Sequence, residues 1–174
     1  MNLENEMKKI CILGTNSRYQ IKKITQVKEI KKRKNINFDT SLDYEKQLQL
    51  LHLYTFTQSL PPFYSEINKK LSGYKSQDQK KKLFCNDKFI TFEQTLIKLK
   101  ECNLTCYYCA NPIYIFYEIV RENKQWTLDR IDNSLGHYND NVLISCLECN
   151  LKRKTTNKNY FLFSKQLVIN KTIK

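Results

Sequence analysis

Two Cys-x-x-Cys pairs, Cys106/Cys109 and Cys146/Cys149, limit the folds open to this chain more than any other feature. Each pair turns two sulfurs toward one point, and joining the pairs closes the whole intervening segment into a loop. Four thiolates in two such knuckles match the tetrahedral, soft-ligand preference of Zn²⁺, and a site with four protein ligands is closed and structural. Cys102 lies close by, but its spacing to Cys106 suits a knuckle less well than that of Cys109. Cys11, Cys85 and Cys102 are therefore expected as free thiols, which places the chain in a reducing compartment, the cytoplasm or nucleus. The N-terminus, MNLENEMKKI, has no continuous apolar stretch of the kind a secretory signal needs. No apolar run approaches the ~18–20 residues that span a bilayer, so no membrane partner is expected.

Charge is the second constraint. Thirty Lys and Arg against 17 Asp and Glu give a formal charge of +13 over 174 residues, which favours a polyanionic partner. The basic residues are densest in Lys31-Lys32-Arg33-Lys34, where a solvated arm adds phosphate contacts and makes binding salt-dependent. With only 3 Gly and 3 Pro, the chain does not read as loop-dominated.

Periodicity predicts a mainly helical first half. Residues 40–58 carry a broad leucine face, and Pro61-Pro62 forbids its continuation. A short helix is expected over Tyr64 to Leu71, with Gly73 as its stop and a polar loop through Gln79. Cys11 to Leu13 reads as a short strand turning at Gly14. Thr91-Phe92-Glu93-Gln94 has capping-box form, and Phe92, Leu96 and Leu99 make one inward stripe. After Cys109, the β-branched and aromatic run Ile113 to Val120 predicts a strand whose partner is Gln125 to Ile131, with Trp126 packed beneath the hairpin. Asp132 to Asp140 reads as a loop, Val142 to Ile144 as a strand and Leu147 to Lys154 as a helix. Phe161, Phe163 and Leu167 are expected to fold back onto this unit.

From about residue 89 to 167 the chain resembles the zinc-stapled HNH (ββα-metal) nucleases, and within them the HNH proteins of large DNA viruses and phages. The likeness rests on the first Cys-x-x-Cys, Asp129-Arg130-Ile131-Asp132 at a strand end, the Gly136-His137 loop leading to Asn141, and Cys146-x-x-Cys149-Asn150-x-x-Arg153. The expected architecture is α+β: a basic, mainly helical region over 1–88, an HNH module over 89–167 and a basic tail over 168–174. The resemblance implies hydrolysis or nicking of DNA, most readily double-stranded, leaving 5′-phosphate and 3′-hydroxyl ends. It makes Asp129 and Asn150 ligands of a catalytic Mg²⁺ or Mn²⁺, and Asn141 the residue that orients the general base. Mg²⁺ keeps several waters, so one or two protein oxygens suffice.

The departure is Arg130. The family usually has its base histidine there, and arginine does not deprotonate water near neutral pH. Either His137 takes over as base while Arg130 clamps phosphate, or the module binds without cutting. Lys152, Arg153 and Lys154 follow on the helix and are expected to face phosphates. The rivals are a non-catalytic zinc-stapled nucleic-acid-binding protein and a structural component of a virion or ribonucleoprotein. Target sequence, DNA against RNA and oligomeric state have no signature in these residues.

Overall fold

A computed structural model describes residues 42–57 and 61–167, together with scattered positions between 14 and 39. Cys11 to Leu13 and the 168–174 tail lie outside the described residues. The chain divides into two compact units, 1–31 and 32–174, and the second carries every element discussed below. In order these are α1 (Tyr44–Thr57), α2 (Pro61–Lys80), α3 (Phe92–Glu101), β1 (Trp126–Arg130), a 3₁₀ turn (Asn139–Asn141), β2 (Val142–Cys146), α4 (Leu147–Arg153) and α5 (Lys158–Gln166). The fold class is α+β, with a two-stranded antiparallel sheet among the described residues.

Pro61 opens α2, where its missing N–H costs nothing and its fixed φ suits the first helical turn. This helix corrects the expected stop at Gly73. It runs 20 residues, straight through Gly73, because that glycine is not in the left-handed conformation a C-cap needs. The stretch expected as a loop is helical, so Lys70, Tyr74, Gln77 and Asp78 share a face at i, i+4, i+7 and i+8. α3 begins as expected, with Thr91 Oγ1 accepting from Gln94 N and the Gln94 side chain accepting from Thr91 N.

A second correction concerns Ile113 to Val120, which forms isolated bridges at Tyr114 and Ile119 rather than a strand. Ile113, Ile115 and Phe116 are all buried, so their side chains do not alternate between two faces. Their backbone finds a side chain instead of a neighbouring strand. Gln47 of α1, fully buried, accepts from both Ile115 N (2.8 Å) and Phe116 N (2.9 Å) through one oxygen. Its amide nitrogen donates to Leu42 O and Phe116 O. β1 therefore pairs with β2, placing Asp129 opposite Leu143 and Arg130 opposite Val142.

The core is common to both halves of residues 32–174. Leu51, Phe63, Ile67 and Leu99 from the helices join Leu104, Tyr108, Ile113, Ile115, Trp126, Leu128 and Ile144. Of the expected tail anchors only Phe161 is buried, edge-on to Tyr108 at 4.9 Å. Phe163 and Leu167 are exposed, and Leu162 rather than Phe163 joins Phe161 against the core. No helix among the described residues is long and apolar enough to cross a membrane.

Candidate functional site

The first knuckle is a tight reversal. Cys106 N donates to Asn111 O, Ala110 N returns to Cys106 O, and Ala110 takes a positive φ of 54° to finish the turn. Tyr107 N donates to Ile144 O, which docks this knuckle on β2. The second knuckle is the β2–α4 junction, where Cys146 serves as N-cap and its sulfur accepts from Cys149 N at 3.3 Å. The sulfurs of Cys106, Cys109, Cys146 and Cys149 all lie within 4.8 Å of one another. A tetrahedral zinc with Zn–S of about 2.3 Å sets its sulfurs roughly 3.8 Å apart, so the group fits a structural metal such as zinc. The backbone supplies the N–H···S bonds such thiolates need, including Cys146 N to Cys106 Sγ at 3.2 Å. The hydrogen bond from Cys146 lowers the Cys106 thiol to about 5. Burial pushes Cys149 up to about 12. A cation at the centre reverses that penalty, because coordination deprotonates thiols outright. Cys102 stands apart from the four, its thiol donating to Leu99 O.

Beside this staple is a cavity of about 270 Å³, lined by Tyr74, Gln77, Leu128, Asp129, Arg130, Asn133, His137, Asn150, Leu151 and Lys154. Four of the five residues expected at a catalytic centre thus border one space: Asp129 and Arg130 from the end of β1, His137 from the loop, and Asn150 from α4. The fifth, Asn141, works behind it. Its side chain accepts from Asp132 N and donates to Asp132 O and Gly136 O, which fixes the loop that carries His137. A second hollow of about 400 Å³ shares Tyr74, Gln77, Asn150 and Leu151 and adds Lys70 and Tyr117. Burial and the nearby Arg33 charge bring the Lys70 ammonium down to about 7.

His137 is buried, and its ring Nδ1 lies 2.7 Å from Asp78 Oδ1, while its backbone N donates to Asp78 Oδ2 at 2.6 Å. Burial, with Arg130 and Lys81, lowers its pKa below 6.5 against the opposing pull of Asp78. Tyr74 covers the ring with centroids 4.5 Å apart. Gly136 makes this approach feasible: a Cβ there would sit 2.6 Å from Leu83 O and 2.9 Å from Asp78 Oδ2. Asn150 donates its amide nitrogen to Thr127 Oγ1 and Leu128 O, and its amide oxygen takes no part in either bond.

Asp129 is buried and heavily bonded. Arg153 grips both its oxygens, Nε to Oδ2 at 2.6 Å and Nη2 to Oδ1 at 2.8 Å, and Tyr108 donates to Oδ2 at 2.7 Å. Arg153 also donates to Arg130 O and Thr156 O. The expectation that Arg153 faces phosphate is thereby corrected, since it is 1% exposed and points into the fold. Lys152 pairs with Glu148, and Lys154 borders the cavity. In the basic run, Arg33 is held by Glu66 (2.7 Å) and Tyr117 O and lies over the Tyr117 ring, and Lys32 pairs with Glu118, while Lys31 and Lys34 are exposed. The pairing of half-buried Arg33 with buried Glu66 offsets its charge toward any phosphate.

Sequence reasoning missed Asp78, Gln47 and the inward role of Arg153. Asp78 had one available signal, the i, i+4 spacing from Tyr74, which the presumed stop at Gly73 concealed. Neither family models, nor curated proteins, nor solved structures give a match to this chain.

Proposed function

We propose that this chain is an HNH-type endonuclease that cleaves or nicks DNA phosphodiester bonds at the 270 Å³ cavity. The observation that carries the reading is the convergence of Asp129, Arg130, His137 and Asn150, which lie up to 21 positions apart, around that one space. Hydrolysis needs a base for water, charge at the phosphate and support for the leaving oxygen. His137, with Nδ1 turned to Asp78, offers Nε2 to take the water's proton. The Nη1 of Arg130 holds Asn133 O and Leu135 O, which fixes its guanidinium as positive lining, and Lys154 adds to it. The adjoining hollow with Lys70 and Tyr117 extends the polar track for a flanking nucleotide.

Two oxygens of the cavity lining would hold a catalytic Mg²⁺ or Mn²⁺. One is the Asn150 amide oxygen, and the other is Asp129 Oδ1, which accepts a single bond from Arg153 and keeps a lone pair. When bound, such an ion neutralises the phosphate and stabilises the leaving oxygen. The same Arg153 pair favours a second reading, a zinc-stapled module that binds nucleic acid without cutting it, because a guanidinium beside Asp129 opposes a further cation.

Plasmid nicking with Mg²⁺ or Mn²⁺ separates the two. Wild type is expected to nick, and His137→Ala and Asn150→Ala to lose about 10²–10⁴-fold while retaining salt-dependent DNA binding. Equal background in all three, with binding intact, leaves the binding module as the function.

A further inference from the structure

We propose that Asp78, on helix α2, is a positioning residue that holds His137 in the Nδ1–H tautomer and so leaves the Nε2 lone pair for the cavity. A carboxylate only accepts, and both Asp78 oxygens are taken up by one residue: Oδ2 by the His137 backbone N–H at 2.6 Å, Oδ1 by ring Nδ1 at 2.7 Å. The ring nitrogen facing Oδ1 must then carry the proton. Asp78 is 0% exposed, and Gly136 beside it has no room for a Cβ, so the contact is built into the packing rather than chosen by a mobile side chain. Tyr74, one helical turn earlier, covers the imidazole at 4.5 Å and its hydroxyl oxygen accepts from Leu128 N in β1. One face of α2 therefore fixes both the ring plane and its tautomer. This helix precedes the segment that carries the nuclease resemblance, so the N-terminal half contributes to the site itself.

The variant Asp78→Asn puts this to the test because it keeps the shape. The backbone N–H of His137 is always a donor, so the new amide must turn its oxygen there. Its NH₂ then faces Nδ1, which has to become an acceptor, and the ring proton moves to Nε2. A histidine so flipped cannot accept a proton from water, as in hydrolases whose orienting aspartate is changed to asparagine.

Long-range ¹H–¹⁵N spectra of His137 read the tautomer in the full-length, zinc-loaded protein. Nδ1–H is expected in wild type and Nε2–H in Asp78→Asn, with zinc content and circular dichroism unchanged. The catalytic consequence rests on the nuclease reading, and it is a loss of about 10²–10⁴-fold in nicking for Asp78→Asn. Nε2–H in the wild type, or no flip in the variant, overturns the assignment. The expected flip in a protein that nicks under no condition sustains the positioning role and removes the nuclease reading. A flip with nicking unchanged overturns the positioning of a base.

Discussion

Arg153, at the end of α4, closes on the carboxylate of Asp129 in β1 with two N–H···O bonds of 2.6 and 2.8 Å. Arg153 is 1% exposed and Asp129 3%. A pair this deep owes its tolerance to geometry: the fork matches both oxygens, and Tyr108, Arg130 O and Thr156 O satisfy the remaining groups. The pair also ties the C-terminal turn of α4 to the end of β1, so it sets where Asn150 stands relative to Asp129.

Removing one partner leaves the other as a buried, unpaired charge. Arg153→Ala is expected to destabilise the protein by about 3–5 kcal/mol at pH 7, whereas replacing both Asp129 and Arg153 by apolar residues of similar volume costs much less. Urea denaturation of the two single variants and the double variant measures this coupling. A loss below about 1 kcal/mol for Arg153→Ala would mean that the charge is not buried in solution.

The four sulfurs predict one metal per chain. Zinc content by elemental analysis is expected near one equivalent, and Cys106→Ser or Cys149→Ser should abolish it. Cys102→Ser should leave it unchanged, since that thiol is committed to Leu99 O. Because thiolates must be deprotonated to bind, zinc retention falls with pH, and a chelator lowers the melting temperature. Retention of zinc in Cys149→Ser with loss in Cys102→Ser would redraw the site.

Legibility in the sequence followed the range of each contact. The knuckles, the strand–helix unit and the Thr91 cap are local patterns, and each was readable from spacing within a few residues. Asp129, His137 and Asn150 were singled out by the resemblance to HNH nucleases, not by spacing alone. Asp78 was not, because its partner lies 59 positions away and the presumed stop at Gly73 hid its one local signal, the i, i+4 spacing from Tyr74. Gln47 was hidden the same way: an amide on a leucine-rich helix gives no hint that it replaces a β-strand partner for Ile115 and Phe116. The Ile113–Val120 run was misread because β propensity measures side-chain fit, while the backbone hydrogen bonds were met from elsewhere.

His137 should titrate below 6.5. Burial, Arg130 and Lys81 lower its pKa, and Asp78 only partly offsets them, with the Tyr74 ring adding cover. Between its folded value and 6.5 the unfolded chain binds more protons than the native one, so stability rises with pH across that window. The contribution is complete above 6.5 and lost as pH falls toward the folded value. Nicking is expected to rise through the same low pH and then level off as the imidazole loses its proton. An NMR titration of His137 with a midpoint above 6.5 contradicts both expectations.

Gln47 gives the sharpest test of the fold, because one fully buried side chain serves four backbone groups. In Gln47→Leu the volume is kept, but the N–H groups of Ile115 and Phe116 lose their acceptor in a site without water access. Each stranded group costs about 1–3 kcal/mol, so the variant is expected to lose several kcal/mol in urea denaturation. The damage has a direction as well as a size. Tyr114 O accepts from Trp126 N at 3.1 Å, so loosening this run frees the start of β1. Amide exchange at Ile115 and Phe116 should accelerate far more than at Leu128, whose N–H is held by Tyr74. Uniform acceleration at all three, or unchanged stability, would show that the run is held by its apolar packing and that the Gln47 bonds are incidental.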